Sequence, residues 1–226
     1  MNVQIEVGPD IGHVPGILLR PPGAWLLYVL AHGAGAGMRH RFMEAIAEAL
    51  GAQGIATLRY EFPYMSTGAR RPDPPAVAHA TVRAAAAEAA RLAPGLPLVA
   101  GGKSFGGRMT SGAAAREPLP GVHALVFLGF PLHPPKQPGT SRADHLAGVG
   151  IPMLFLQGTR DDLADLELVT RVCGELGSRA TLHVVDGANH AFEVLKRSGR
   201  SNEEVLQELA GQTAQWSRGR VPPAMT

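Results

Sequence analysis

The stretch Gly101-Gly102-Lys103-Ser104-Phe105-Gly106-Gly107 carries two overlapping patterns that imply different chemistry. Gly102-Lys103-Ser104 matches the end of a phosphate-binding loop, whereas Gly102 to Gly106 matches G-x-S-x-G, the sharp turn that presents a nucleophilic serine. The phosphate loop requires a glycine where this chain has Pro97, and the apolar run Leu98 to Ala100 is best used as a strand, which leaves no room for a cradle. The serine turn requires a strand, a tight turn and a helix in that order, and "PLVAGGKSFGGRMTSGAAAR" supplies all three. Gly102 and Gly106 would leave space where strand and helix approach each other. On a plainer reading Ser104 only caps a helix behind a glycine-rich turn, and the pentapeptide alone does not separate the two.

A serine hydroxyl is a poor nucleophile at neutral pH and needs a histidine base oriented by a carboxylate. In the strand-turn-helix setting these partners follow in chain order Ser, acid, His. After Ser104 the histidines are His123, His133, His145, His183 and His190. His183 falls inside an expected strand and His123 precedes one. His190, in "VVDGANHAF", follows a strand at the carboxyl edge, where open α/β sheets bind ligands, and is the expected base. Asp161, in "GTRDD", follows the preceding strand at the same edge and is the expected acid. Asp162 is better suited to capping the next helix, and Asp186 to turning its loop. An oxyanion hole needs backbone amides free of side-chain obstruction, and "AHGAGAGM" provides small residues after another strand. Ala34 and Phe105 are the expected donors, with Gly35 as a substitute for Ala34. A dinucleotide-binding reading of the same loop fails because Met38 stands where the third glycine belongs.

These residues need a scaffold that brings strand ends together. Short Val/Leu/Ile runs alternate with Ala-rich or amphipathic stretches, the pattern of an α/β fold with a mostly parallel sheet. About eight strands are expected: Val3 to Val7, Val14 to Leu19, Leu26 to Ala31, Ile55 to Arg59, Leu96 to Gly101, Ala124 to Leu128, Met153 to Gln157 and Thr181 to Val185. The first two precede any helix signal and suit an antiparallel edge. Helices are expected over Arg41 to Ala52, Pro75 to Leu92, Ser104 to Arg116, Asp162 to Leu176 and Asn202 to Ser217, on both faces of the sheet. Asp73 is the expected cap of the second of these.

With 226 residues, 45% of them hydrophobic and 18% charged, the chain suits one domain over 1–226 with a sizeable core, and a frayed tail over 221–226. A formal charge of +2 with no basic run longer than Arg70-Arg71 argues against nucleic-acid binding. The longest apolar run, "WLLYVLA", is far shorter than the roughly 20 residues a membrane-crossing helix needs. The lone Cys173 cannot form an internal disulfide, which fits a reducing, cytoplasmic setting. Histidines and acids show no metal-ligand spacing, and no cofactor is expected.

The ordered motifs "HGAGAGM", "GGKSFGG", "GTRDD" and "GANHAF", together with "IATLRYEFPYM" and "FPLHPP", resemble the α/β-hydrolase superfamily over nearly the whole chain. Within it they are similar to the dienelactone-hydrolase-like group that includes testis-expressed, KANL-type hydrolase-like domains. The resemblance implies a serine hydrolase of open specificity, for which Ser104, Asp161 and His190 are the expected triad. Gly129 to Gly150, the one extended irregular stretch, is too short for a large cap domain, so a small-molecule ester, lactone or thioester is the expected substrate. Dienelactone hydrolases proper carry cysteine at the nucleophile position, so their substrate does not transfer to Ser104. His32, Tyr64, Met65, Phe130, Leu132 and His133 are the expected pocket residues, from loops at the carboxyl edge, and Lys103 is expected to be solvated. The competing expectation is a catalytically silent binding or scaffolding protein on the same fold. Oligomeric state is not legible in these residues.

Overall fold

The computed structural model describes residues 1–224. Its strands are β1 (Asn2–Gly8), β2 (Gly12–Leu19), β3 (Leu26–Ala31), β4 (Ile55–Tyr60), β5 (Leu98–Lys103), β6 (Val122–Leu128), β7 (Met153–Arg160) and β8 (Ala180–Asn189). They form one sheet in the order β1-β2-β4-β3-β5-β6-β7-β8. The two pairings that involve β2, with β1 and with β4, are antiparallel; every later neighbour is parallel. The expected α/β class, strand number and antiparallel edge all hold.

Helices α1 (Arg41–Ala52), α2 (Pro63–Ser66), α3 (Pro75–Leu92), α4 (Phe105–Arg116), α5 (Leu166–Leu176) and α6 (Asn202–Arg218) connect or flank the strands. The central strands are buried along their full length, so their side chains feed two cores. One core joins the sheet to α3, α4 and α5 through residues such as Val82, Met109, Phe127 and Val169. The other joins it to α1 and α6 through Met43, Ile46, Leu128, Leu209 and Ala214. This is why β3 reads as an unbroken apolar run instead of an alternating one, while β4 keeps Thr57 and Arg59 among its buried residues and β5 ends on Lys103.

Some local expectations are corrected. Asp73 does not cap α3: its carboxylate accepts the Tyr64 amide at 3.1 Å, and Pro74 precedes the helix without a side-chain cap. Asp165, not Asp162, caps α5, accepting the amides of Glu167 and Leu168. A later start for α5 leaves Asp161 and Asp162 on the loop. Val221, within the segment expected to fray, donates its amide to Ser217 and packs against the α1/α6 core; residues 225–226 lie outside the described residues.

Candidate active site

Ser104 sits between β5 and α4 with φ 50° and ψ −115°, a left-handed conformation that a residue with a β-carbon adopts only under strain. The flanking glycines explain how the chain tolerates it. A β-carbon on Gly102 would stand 2.2 Å from the Ala31 carbonyl oxygen, and one on Gly106 2.6 Å from that of His32. The sequence therefore allows β5 and α4 to press against β3 and force the serine outward.

The structure brings Ser104, His190 and Asp161 into one hydrogen-bonded line. The Ser104 hydroxyl lies 2.8 Å from His190 Nε2, and His190 Nδ1 lies 2.7 Å from Asp161 Oδ2. An ionised carboxylate only accepts, so Nδ1–H donates to Asp161, leaving Nε2 to accept the serine proton. The Asp161 side chain is 1% exposed and that of His190 20%. Two further donors hold the carboxylate: the Leu163 amide on Oδ1 at 2.8 Å and Gln157 Nε2 on Oδ2 at 2.5 Å. Gln157 also accepts the Phe130 amide at 3.0 Å, so it couples the ends of β6 and β7.

His190 follows β8, which runs four residues past the expected Val185 to Asn189. The Asn189 side chain accepts the amides of Ala191 and Glu193, both at 2.9 Å, and folds the His190 loop back on itself. From the far side of the loop, Val194 donates to Asn202 on the first turn of α6 at 3.0 Å. Phe192 stacks on Phe42 of α1 with ring centroids 5.8 Å apart.

The amides of Ala34 and Phe105 donate to no acceptor among the described residues, which leaves both free near Ser104. Gly35 is not available as a substitute donor, because its amide already donates to the Tyr64 hydroxyl at 2.9 Å. The backbone N–H at the start of α4 also lies at the positive end of that helix.

A cavity of about 560 Å³ opens beside Ser104. Its walls come from Phe42, Met43 and Ala45 of α1, Phe192 and Leu206, with Lys103 and Ser104 at one end. None of the six expected pocket residues lines it. His32 is fully buried, with Nε2 accepting the Phe62 amide at 3.1 Å and Nδ1 donating to the Gly33 carbonyl at 2.7 Å. Tyr64 is buried against Phe105 and holds Gly35, and Met65 packs against the same core. Phe130 and Leu132 are core residues; His133 is buried with Nε2 accepting the Asp165 amide at 3.1 Å. Internal hydrogen bonds and aromatic packing keep these side chains behind the loops, where they fix loop shape.

Lys103 is the opposite case. Expected in solvent, it is only 9% exposed, with Nζ donating to the His190 carbonyl at 2.5 Å and lying over the rings of Phe192 and Phe42. Burial pushes its amine down to about 8, with the Asp161 charge opposing that shift. Gly129, at the end of β6 with φ 69°, was also missed. A β-carbon there would lie 3.2 Å from Lys103 Nζ and 3.5 Å from both Asp161 Oδ2 and His190 Cε1. Its one visible signal is a glycine immediately after an apolar strand.

Among the described residues no helix is long and apolar enough to cross a membrane, and no group of three or more His, Cys, Asp or Glu is placed to hold a metal ion. A family model described as an alpha/beta hydrolase domain matches residues 25–218. Among solved structures, dienelactone hydrolase from Anabaena variabilis superposes with a TM-score of 0.75 at 22% identity, covering 98% of each chain. A serine hydrolase without lid from Xanthomonas campestris gives 0.73 at 21% identity over 96% of this chain and 94% of its own. Est1E from Butyrivibrio proteoclasticus gives 0.70 at 17% identity over 96% and 99%. With strand order, serine turn and family match in agreement, the chain belongs to the α/β hydrolase family and has the fold of its dienelactone-hydrolase-like members.

Proposed function

We propose that the protein is a serine hydrolase that cleaves a small ester, lactone or thioester by two-step acyl transfer to water. The observation that carries this reading is the unbroken line from Ser104 Oγ through His190 to Asp161, on a serine strained outward beside an open cavity. His190 Nε2 takes the Ser104 proton as Oγ attacks the substrate carbonyl, and the amides of Ala34 and Phe105 receive the negative charge that develops on its oxygen. Collapse of the tetrahedral species expels the alcohol or thiol, which leaves with the proton from His190. Water then repeats the attack on the acyl-serine, giving up a proton to His190 and releasing acid and free Ser104. Asp161 holds the imidazole in the tautomer this requires. The chemistry calls on no metal or organic cofactor.

The apolar cavity walls favour a hydrocarbon or aromatic acyl or alcohol group. Between β6 and β7 lies only the short 3₁₀ segment Ser141–Gly148, so the site is read as uncapped and open to small soluble substrates. The structural neighbour named as a dienelactone hydrolase supports the same carboxylic-ester class. Cytoplasmic residence remains part of the proposal through the lone Cys173, which is buried with its thiol pushed up to about 12 by desolvation.

A fluorophosphonate probe tests the reading directly. Ser104 in the folded protein should label and Ser104→Ala should not, with ester turnover falling by roughly a thousandfold or more in the variant. Equal labelling of the two proteins, or none of either, would return the chain to the alternative of a catalytically silent binding protein.

A further inference from the structure

Lys103 is a buried ammonium with a single hydrogen bond, to the carbonyl of His190, although the group has three protons to donate. It forms no ion pair within 4.0 Å among the described residues. A charge is not kept in such a place for stability, since burial without a partner opposes ionisation. Its position explains what it does. Lys103 ends β5, next to the nucleophile, while the carbonyl it holds belongs to the base, 87 residues away on the β8 loop. Over Gly129, the same small space is shared by Lys103 Nζ, Asp161 Oδ2 and His190 Cε1. The rings of Phe42 and Phe192 close over the amine.

We infer that Lys103 is a positioning residue for His190: its ammonium group fastens the backbone of the base to the strand that carries the nucleophile and sets its negative neighbour Asp161 in a positive field. The inference rests on the proposed roles of Ser104 and His190. A charge-assisted bond to a carbonyl is roughly twice as strong as a neutral one, so the clamp loosens when the amine loses its proton. Other charged groups around the amine are Asp161 from the β7 loop and His190 itself, with His40, Arg41 and Glu193 lining the cavity it borders. Arg41 and Glu193 neutralise each other at 2.8 Å on the surface, leaving Asp161 as the charge that Lys103 answers.

The test is the second-order rate at which a fluorophosphonate labels Ser104, followed across pH in the wild type, Lys103→Met and Lys103→Gln. It needs no knowledge of the natural substrate. In the wild type the rate should fall as pH rises through about 8. Lys103→Met, which keeps the length and removes the charge, should label between about 10- and 100-fold more slowly at neutral pH and lose that alkaline fall. Lys103→Gln retains an N–H donor without charge and should lose the fall as well, with a smaller drop in rate. Circular dichroism checks that each variant is folded, and either neutral variant alone suffices. A neutral variant that labels as fast as the wild type, or one that keeps the alkaline fall, would overturn the inference. Failure of the hydrolase reading looks different: Ser104→Ala would then label like the wild type, whatever stands at residue 103.

Discussion

At the scale of single residues, the site depends on atoms that are absent as much as on those present. Gly129 offers only hydrogen where a methyl group would touch Lys103, Asp161 and the His190 ring together. Gly129→Ala also requires an alanine at φ 69°, which costs on the order of 1–2 kcal/mol by itself. The expected result is a Tm lowered by several degrees and turnover lowered by more than tenfold, measured by calorimetry and ester hydrolysis. Gln157 is the other silent partner. Gln157→Leu would strip a donor from Asp161 and leave the buried Phe130 amide unpaired, costing about 1–3 kcal/mol in a denaturant titration. Activity should fall further than stability explains, because Asp161 then loses one of its two holds besides His190. Sequence gives little access to either residue: a glutamine at the end of an apolar strand looks like surface, and its two partners are fixed only when β6 and β7 lie side by side.

At the scale of elements, the hydrogen-bonded line of Ser104, His190 and Asp161 was legible because each member stands just beyond a strand. Ser104, Asp161 and His190 follow β5, β7 and β8, and adjacent parallel strands must deliver their carboxyl ends to one edge. The pocket was not legible for a reason of the same kind. Strand ends tell which loops reach the edge, but not which side chains turn inward from it. His32, Tyr64 and His133 turn inward because each meets a backbone amide that needs an acceptor. Lys103 went unrecognised because its partner is a backbone carbonyl, which has no residue signature. The β5–α4 junction admits a sharp element-level prediction. Gly102→Ala places a methyl group 2.2 Å from a backbone oxygen on β3, a clash no rotamer relieves, so the variant should yield no soluble folded protein in a thermal melt or gel filtration.

At the scale of the whole molecule, the cavity lies on the α1/α6 face of the sheet, and its depth is set by how these two helices pack. Ala45 on α1 and Leu206 on α6 line it together. Ala45→Trp should fill the space without touching the triad, shifting preference toward shorter acyl chains, with a loss of at least tenfold in kcat/KM for hexanoyl relative to acetyl esters. A change that lowered both equally would place the acyl group elsewhere. The backbone at Ser104 bears on the stability of the whole chain as well as on its chemistry. A side chain held at φ 50° is a standing cost, and glycine, already used twice on each side of Lys103-Ser104-Phe105, would remove it with one substitution. The hydroxyl and the relief exclude each other at this position, so Ser104→Gly should melt at a higher temperature than the parent and take up no fluorophosphonate.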